Sequence, residues 1–307
     1  MSTSLKRVVV TGASGFIGGA VATALADAGH EVVGYGRRPN GWQHPRGSYR
    51  QRDLTRDAIP EVRDAQVVVH AAALTDEWMG WEDAFDTNVR VTGRLVQTGS
   101  AARLVHISSA SVYDPYTPTV LGCEAEQLPR RYPNAYGATK SIAERIVAMH
   151  PNCIALRPRA VYGPADATLS SRLLARVRMG VLPLPGGGAF EQTVTHIETL
   201  VDAVERSLDS AVTGPVNVGD AEPVAIGRFI LDVLAASGRR ARILPVPVDA
   251  ALSLASRAEG LAKVTGRKPS LTRYAVMQLG FERTLDLSRL NEELGAVPRP
   301  TSLQFMR

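Results

Sequence analysis

The sequence predicts an α/β protein in which a doubly wound parallel sheet is followed by a smaller C-terminal lobe. Three observations support this: short apolar runs in the first half, amphipathic stretches that alternate with them, and a looser passage rich in proline and glycine after residue 163. With 307 residues, of which 45% are hydrophobic and 21% charged, the chain can bury a large core. The composition excludes an intrinsically disordered protein.

Four short, valine-rich runs have the uninterrupted apolar character of buried parallel strands. They are Arg7–Val10, Glu31–Gly34, Gln66–Val69 and Leu104–Ile107. Between the first two runs, apolar residues recur every four positions and a glycine follows, which predicts a connecting helix. The residues of this pattern are Ile17, Val21, Leu25 and Gly29. Repeated strand–helix–strand units place a ligand crevice at the carboxyl ends of the strands.

The predicted domain division is not a single cut. Residues 1–163 form the first domain, and residues 193–218 are expected to return to its sheet. Residues 164–192 and 219–307 form the second lobe. After the passage rich in proline and glycine, helices are predicted to begin near Glu198 and Ile226. We expect this lobe to close over the crevice and bind the substrate.

Composition also narrows the class of protein. Cys123 and Cys153 are the only cysteines, which predicts reduced thiols, no disulfide framework and no metal site. The net charge of +5 comes from scattered or paired basic residues, so we expect no nucleic-acid partner. The sequence has neither a membrane-spanning apolar stretch nor the pattern of a signal peptide near its start. We therefore expect a cytoplasmic protein that does not bind membranes and takes a small-molecule substrate. A homodimer is one possible oligomeric state.

A glycine-rich loop, Thr11–Gly18, follows the first strand and opens the first helix. Gly12 permits a tight turn, Gly15 lets the backbone approach a pyrophosphate, and Gly18 allows close packing of helix and strand. The helix N-terminus offers unpaired N–H groups to an anion. In this context the loop predicts a Rossmann dinucleotide site, completed by Ser14, Phe16 and Ile17.

The end of the second strand predicts which dinucleotide binds. Enzymes that prefer NAD usually have a carboxylate there, but this chain continues Gly34-Tyr-Gly-Arg37-Arg38. Arg37 or Arg38 can pair with a 2′-phosphate through a guanidinium fork, so we expect NADP rather than NAD. The alternative is two solvent-exposed arginines on a loop.

Tyr136 and Lys140 lie four residues apart at the start of a predicted helix, on the same face. A nearby cation favours the phenolate, so Lys140 is expected to lower the pKa of Tyr136 and make it a proton donor and acceptor. The alternative is a pair of amphipathic residues at the helix surface.

Several motifs together resemble the extended short-chain dehydrogenase/reductases of the NAD(P)-dependent epimerase/dehydratase superfamily, over nearly the whole chain. Asp53 and Leu54 also stand in the family's position after the third strand. The motifs, in order, are TGASGFIG from Thr11, HAAA from His70, Asn88, SSASVY from Ser108, YGATK from Tyr136, LRPRAVYGP from Leu156, VTHIE from Val194 and LDLSRLNEELG from Leu285.

This resemblance implies the catalytic roles. Tyr136 would be the acid/base, and Lys140 would hold the nicotinamide ribose while lowering the tyrosine pKa. Ser109 would hydrogen-bond the reacting oxygen, and Asn88 would steady the helix and a water relay behind the lysine. Asn88 has the alternative of a simple helix N-cap.

The resemblance also implies further cofactor contacts. Asp53 and Leu54 would meet the adenine, the alanines of HAAA would line the cofactor, and the stretch from Pro158 to Val161 would approach the nicotinamide carboxamide. Those alanines are Ala71, Ala72 and Ala73. No chemistry is assigned to His70 and His196, which we expect to be neutral and structural, or to Ser108 and Ser111, which we expect to be structural hydroxyls.

Departures from the family pattern narrow the reaction. Ala110 and Ser111 stand where sugar dehydratases have an acidic pair, which disfavours dehydration. Ala160 replaces an asparagine and Gln192 an arginine of the sugar-nucleotide epimerases, which argues against a nucleotide-sugar diphosphate. Asp114 replaces a frequent glycine and affects only the loop geometry expected there.

The stretch Ala73–Trp81 resembles the bacterial branch that includes 3β-hydroxysteroid dehydrogenases and β-keto acid ketoreductases. Trp78, Met79 and Trp81 could form an apolar wall of the crevice, with core packing as the alternative. In the second lobe, four apolar residues could likewise face the crevice or pack in the core. They are Val246, Val248, Leu252 and Leu254.

The predicted function is an NADP-dependent oxidoreductase that passes hydride between the nicotinamide and a relatively apolar ketone or β-keto acid. One alternative is a nucleotide-sugar epimerase or 4-ketoreductase, for which Arg172, Arg176 and Arg178 could bind phosphate from a helix over residues 170–179. A second alternative is a non-catalytic NADP-binding sensor, which the intact catalytic residues disfavour.

Overall fold

The computed structural model describes residues 4–99, 102–164, 166 and 176–306. Its strands follow the apolar runs of the sequence, and short strands continue through the second lobe. In chain order they are β1 (Arg7–Thr11), β2 (Glu31–Gly36), β3 (Gly47–Gln51), β4 (Val67–His70), β5 (Arg103–Ile107), β6 (Thr119–Gly122), β7 (Cys153–Pro158), β8 (Val161–Tyr162), β9 (Val181–Pro185), β10 (Glu191–Gln192), β11 (Thr195–His196), β12 (Gly214–Val218), β13 (Val224–Ala225), β14 (Arg242–Val246) and β15 (Arg283–Leu285).

The helices of these residues cross between the strands or form the second lobe, and none is long and apolar enough to span a membrane. The α-helices are α1 (Phe16–Asp27), α2 (Trp81–Phe85), α3 (Val91–Thr98), α4 (Ala135–Val147), α5 (Ile197–Ser207), α6 (Ile226–Ala236), α7 (Val248–Thr265) and α8 (Arg273–Gly280). Two π-helical turns and four 3₁₀ turns lie at Asp86–Arg90, Arg289–Glu293, Pro60–Arg63, Ala110–Val112, Gly186–Gly188 and Gln304–Met306.

The central sheet has seven strands in the order β3-β2-β1-β4-β5-β7-β12, and all of its pairs are parallel. This confirms the predicted doubly wound sheet and the four strands read from the apolar runs. The order reverses between β1 and β4, which opens a crevice at the carboxyl ends of these two strands. Strand β12 pairs with β7, so residues 214–218 return to this sheet after the chain has left it.

Apolar side chains cover both faces of the sheet. On one face α1 and α5 bury Val21, Leu25 and Leu200 against valines of the strands. On the other face α3 supplies Val91 and Leu95. The sheet is therefore buried on both sides, as its valine-rich strands require.

The second lobe is built around a mixed four-stranded sheet, β13-β10-β15-β6, and the pair β9–β14. Its core explains three of the four apolar residues proposed for the crevice. Val246, Val248 and Leu252 pack around Ala251, Ala255 and Val276. Leu254 is 60% exposed. The packing alternative is thus the correct one for the first three, and all four fall outside the crevice described below.

A buried ion pair ties helix α4 to the sheet. Arg157, on β7, donates from Nη2 to Glu144 Oε1 of α4 at 2.5 Å, and its side chain is 3% exposed. Glu144 Oε2 also accepts from the hydroxyl of Ser108 at 2.5 Å. Arg157 donates to the Tyr113 hydroxyl, which in turn donates to Asn217 on β12. The network fixes the helix against three strand ends without leaving either charge unpaired.

Breaking this pair should destabilise the protein strongly. We expect Glu144→Leu to cost about 3 to 5 kcal/mol, because it leaves the Arg157 guanidinium buried without a counter-ion. The double variant Glu144→Leu/Arg157→Leu should recover most of that loss, since it removes the orphaned charge. The measurement is the free energy of unfolding in urea for each variant.

The control is Asp232→Ala, which breaks the exposed pair of Asp232 and Arg228, two residues one helical turn apart. Its cost should stay below about 1 kcal/mol. A Glu144→Leu variant no less stable than this control would show that the buried pair does not hold α4 in place.

Candidate active site

The phosphate loop has the geometry that its glycines predict. Gly12 has φ +77°, and a Cβ there would lie 2.7 Å from the backbone nitrogen of Ala72. A Cβ at Gly18 would lie 2.3 Å from the Gly12 carbonyl oxygen. Gly15 is the N-cap residue of α1, and no side chain caps this helix. The helix N-terminus is thus left to backbone N–H groups, which suits the pyrophosphate of a dinucleotide.

A cavity of about 220 Å³ opens above this loop, at the carboxyl ends of β1, β2, β3 and β4. Ten of the predicted cofactor residues line it. They are Gly12, Ser14, Gly15, Arg37, Arg38, Asp53, Leu54, Ala71, Ala72 and Ala73. A Cβ at Gly36 would lie 2.3 Å from Ser14 Oγ, so glycine is needed to keep this end of the cavity open.

The structure adds a third arginine that the sequence reasoning missed. Strands β2 and β3 are parallel and pair Gly36 with Gln51, so Arg37 and Arg52 follow at adjacent strand ends. Arg52 lines the same cavity. Its position directly before Asp53 was the available signal. Asp53 accepts two hydrogen bonds from Thr55, which lower the pKa of its carboxyl.

The other predicted cofactor residues lie around this cavity. Phe16 lines a neighbouring cavity of about 700 Å³ between α1 and α5, and Ile17 packs against the sheet core. Pro158 ends β7, and Val161 begins β8. Between these two, Ala160 has φ +46°, a left-handed conformation that asparagine tolerates better than alanine. The asparagine that the family resemblance implies at this position would suit this backbone conformation.

Helix α4 places the two central catalytic candidates on one face. Its N-cap, Asn134, accepts a hydrogen bond from the Gly137 N–H at 3.1 Å, which fixes the helix start just before Tyr136. Lys140 is 3% exposed and donates from Nζ to the Ile107 carbonyl at 2.5 Å. The alternative of two residues at the helix surface is therefore wrong for Lys140.

The expected effect of Lys140 on Tyr136 is not found in the protein alone. Burial raises the pKa of Tyr136, and hydrogen bonds with Ser109 and Ser111 offset this only in part. Burial also lowers the pKa of Lys140 to about 8, while Glu144 opposes the shift. The physical reason is that Lys140 directs its ammonium to a backbone carbonyl and loses its hydration, so the dominant effect on both groups is desolvation.

Asn88 connects the catalytic helix to the cofactor edge. It lies in the π-helical turn Asp86–Arg90, inside a longer helical run, so it is not a helix N-cap. Its amide donates to the Leu74 carbonyl at 3.1 Å and to Thr139 Oγ1 at 3.0 Å, and its oxygen accepts from the Leu74 N–H at 2.8 Å. Asn88 therefore holds α4 and the segment after Ala73 at a fixed separation.

The hydroxyl cluster is larger than predicted. Ser109 donates to Ser111 Oγ at 3.0 Å and accepts from the Ser111 N–H at 3.1 Å. Tyr274, on α8 of the second lobe, donates from its hydroxyl to Ser111 Oγ at 2.7 Å. Ser111 is thus part of the site and not a remote structural hydroxyl. Tyr274 belongs to no motif, so nothing local in the sequence could identify it.

A second cavity, of about 320 Å³, opens beside this cluster, next to the first residue of α4. Trp78 and Met79 line it together with Tyr274 and Pro133, and Glu77, Asn134, Glu259 and Thr272 add polar groups to the same lining. Trp81 does not line this cavity. It is 51% exposed and stacks on Phe85 with 5.8 Å between ring centroids. The start of α2 turns its side chain away from the cavity.

The two histidines have the structural roles expected of them, whereas the helix predicted over residues 170–179 does not extend to its last four residues. His70 lies between the hydroxyls of Thr11 and Thr92 at 2.7 and 2.8 Å, and burial lowers its pKa to about 3, so it stays neutral. His196 accepts from the Glu198 N–H at the start of α5. Residues 176–179 form a turn and a bridge, so the helix predicted over residues 170–179 does not include them; Arg172 lies outside the described residues.

Gln192 is buried against a cation. Its oxygen accepts from Arg159 Nη2 at 2.8 Å, and its amide donates to the Gln278 carbonyl at 2.6 Å. Sequence reasoning missed this cation, because Arg159 reaches Gln192 from the end of β7, 33 residues earlier in the chain.

Comparison with known proteins agrees with this geometry. The NAD dependent epimerase/dehydratase family matches residues 8–219 of the chain. A 2-alkyl-3-oxoalkanoate reductase of Stenotrophomonas maltophilia (strain K279a) is 28% identical, over 98% of this chain and 97% of that protein. A 3-beta-hydroxysteroid dehydrogenase of Mycolicibacterium neoaurum is 27% identical, over 100% and 91%. The solved structure of MoeE5 in complex with UDP-glucose and NAD has a TM-score of 0.71 at 26% identity, over 97% of this chain and 94% of that chain.

The buried lysine should leave a signature in the pH dependence of stability. Because the pKa of Lys140 falls from 10.5 to about 8 on folding, the folded protein binds fewer protons between these values, and its stability must rise with pH across that window. Relative to Lys140→Met, the parent should gain about 2 to 3 kcal/mol between pH 7 and pH 10. Urea unfolding of both proteins at several pH values measures this, and a difference that does not change with pH would contradict it.

Proposed function

Because the chain belongs to the NAD dependent epimerase/dehydratase family and is an NAD(P)-dependent oxidoreductase of the extended short-chain dehydrogenase/reductase type, we propose that it reduces a relatively apolar ketone or β-keto acid with NADPH. The observation that carries the proposal is the contact between the hydroxyls of Ser109, Ser111 and Tyr274 beside Tyr136, next to a cavity lined by Trp78 and Met79. Relatives named as a 3-oxoalkanoate reductase and a hydroxysteroid dehydrogenase support the substrate class.

In this proposal Tyr136 donates its phenolic proton to the carbonyl oxygen during reduction and takes it back during oxidation. Ser109 hydrogen-bonds the same oxygen and fixes its position. A bound nicotinamide supplies the hydride that forms the new C–H bond at the carbonyl carbon. Lys140 keeps its charge at neutral pH, because its pKa of about 8 lies above 7, and it would hold the nicotinamide ribose, as the family resemblance implies.

The preference for NADP rests on charge at the ends of β2 and β3. Arg37, Arg38 and Arg52 line the cavity there, and Asp53, the carboxylate beside them, is engaged by Thr55. A 2′-phosphate would find guanidinium partners in this cavity, whereas a ribose 2′-hydroxyl would lack the usual carboxylate. The solved relative MoeE5 is described with NAD, so this preference is proposed from the arginines of this chain.

The two free cysteines are in keeping with a cytoplasmic location.

A nucleotide-sugar epimerase or 4-ketoreductase is the second candidate. Arg159 places a cation against Gln192, where sugar-nucleotide enzymes of the family use arginine, and MoeE5 is described with UDP-glucose. The Trp78 and Met79 side chains in the cavity wall favour the ketone, because they give an apolar substrate a surface to pack against.

Tyr136→Phe tests the reaction. The variant should lower kcat for ketone reduction by about 10² to 10⁴, because it removes the proton donor, while the Kd for NADPH stays nearly unchanged. NADPH oxidation and fluorescence titration measure the two quantities. Tyr116→Phe, at a tyrosine 46% exposed, is the control and should match the parent. Parent-like turnover by Tyr136→Phe would exclude the mechanism.

The arginine cluster tests the cofactor. Replacing Arg37, Arg38 and Arg52 by Ala should weaken NADPH binding at least about tenfold, since each charge-assisted hydrogen bond is worth about 1.5 to 3 kcal/mol before screening. NADH binding should barely change, because NADH has no 2′-phosphate. Arg46→Ala, at an exposed arginine outside the cavity-lining set, is the control. Equal losses for both cofactors would show that these arginines do not bind the 2′-phosphate.

A further inference from the structure

Arg159 is a buried cation, and its partners among the described residues are neutral groups. Its side chain lies at the end of β7 and the residue is 8% exposed. It donates from Nη1 to Gln278 Oε1 at 2.7 Å and from Nη2 to Gln192 Oε1 at 2.8 Å and the Gln278 carbonyl at 3.1 Å. Its Nε–H is buried and has no hydrogen-bond partner among the described residues.

No carboxylate neutralises this guanidinium. Within the described residues neither Arg159 nor Arg283, the nearest other cation, forms an ion pair, and Arg283 donates its Nη groups to backbone carbonyls and the Thr119 hydroxyl. The sequence positions outside the described part carry no Asp or Glu side chain. Burial and the repulsion from Arg283 lower the pKa of Arg159 to about 9.

The contrast with Arg157 shows that this is not a general property of the strand end. Arg157 is two residues earlier and equally buried, but Glu144 pairs with it and raises its pKa. A protein gains little from burying an unpaired charge unless a ligand neutralises it. The uncompensated charge of Arg159 and its unpartnered Nε–H, among the described residues, are therefore what a site for an anion requires.

Helix α8 connects this cation to the catalytic hydroxyls. Tyr274 and Gln278 are four residues apart and share one helix face, with a rise of about 6 Å between them. Tyr274 contacts Ser111 of the hydroxyl cluster, and Gln278 contacts Arg159. The Tyr274 ring also lies within electrostatic range of both Tyr136 and Arg159. Gln278, the partner of Arg159, thus lies about one helical turn along α8 from Tyr274, which contacts the hydroxyl cluster.

We propose that Arg159 receives the carboxylate of the substrate, so that the physiological substrate is a 3-oxo acid and not a neutral ketone. The reduction of the 3-oxo group rests on the proposed function, whereas the binding of the carboxylate by Arg159 does not depend on it. One buried Nε–H without a partner among the described residues, beside two glutamine-bound nitrogens, suits a monoanion, whereas a nucleotide diphosphate requires several cationic or N–H partners. Glu77 lines the cavity near Tyr274, but it does not contribute to the pKa of Arg159.

Binding can be tested without turnover. Enzyme saturated with NADPH is titrated with 3-hydroxyoctanoate and with its methyl ester by calorimetry, since neither can be reduced further. The parent should bind the acid at least about tenfold more tightly than the ester, because only the acid carries the negative charge that pairs with the guanidinium. Arg159→Gln should bring the two affinities to within about threefold, and Arg159→Lys should keep part of the preference.

Turnover separates the two proposals. A lower KM for 3-oxooctanoate than for its methyl ester supports the binding of the carboxylate by Arg159. Equal affinity of the parent for acid and ester overturns it, even if Arg159→Gln fails to fold and even if both ketones are reduced. Tight binding of the acid without reduction of any ketone contradicts the proposed reaction but supports the binding of the carboxylate by Arg159. Tighter binding of UDP-glucose than of the acid, lost in Arg159→Gln, would assign the cation to a phosphate and overturn the carboxylate assignment.

Discussion

The buried pair of Arg157 and Glu144 is the interaction on which the site depends. Helix α4 carries both Tyr136 and Lys140, and Glu144 lies one further turn along the same helix. Because the pair binds that turn to β7 and to Ser108, the tyrosine cannot slide along the sheet without separating two buried charges. Burying the two charges costs desolvation free energy, but the pair fixes the position of Tyr136, and a proton donor must be held in a fixed position to react.

The carboxyl ends of the parallel strands concentrate the rest of the chemistry. Arg37 and Arg52 become neighbours because β2 and β3 run in the same direction and in register. Ser109 follows β5 and Arg159 follows β7 for the same topological reason. A parallel sheet therefore collects residues that lie far apart in sequence at one edge, while its helices remain free to form the core.

The sequence predicted the features that are local. The glycine loop, the first helix and the Tyr136–Lys140 spacing each depend on a few consecutive residues, and the structure has them where the sequence put them. The Tyr274–Ser111 contact and the Arg159–Gln278 contact join positions 163 and 119 residues apart, and no periodicity encodes such a distance. The direction of the Tyr136 pKa was missed for a related reason. Spacing reveals that a lysine is near, but not that burial outweighs its charge.

The π-helical turn at Asp86–Arg90 has a consequence for how this protein can evolve. It adds one residue to a helical run, and that residue lets Asn88 face Leu74 while Thr92, one turn later, still reaches His70. A deletion of one codon here would rotate every later side chain of the run by about 100° and separate both contacts at once. Length changes should therefore accumulate in the loops of the second lobe, and lineages that diverge in substrate should keep this turn at constant length.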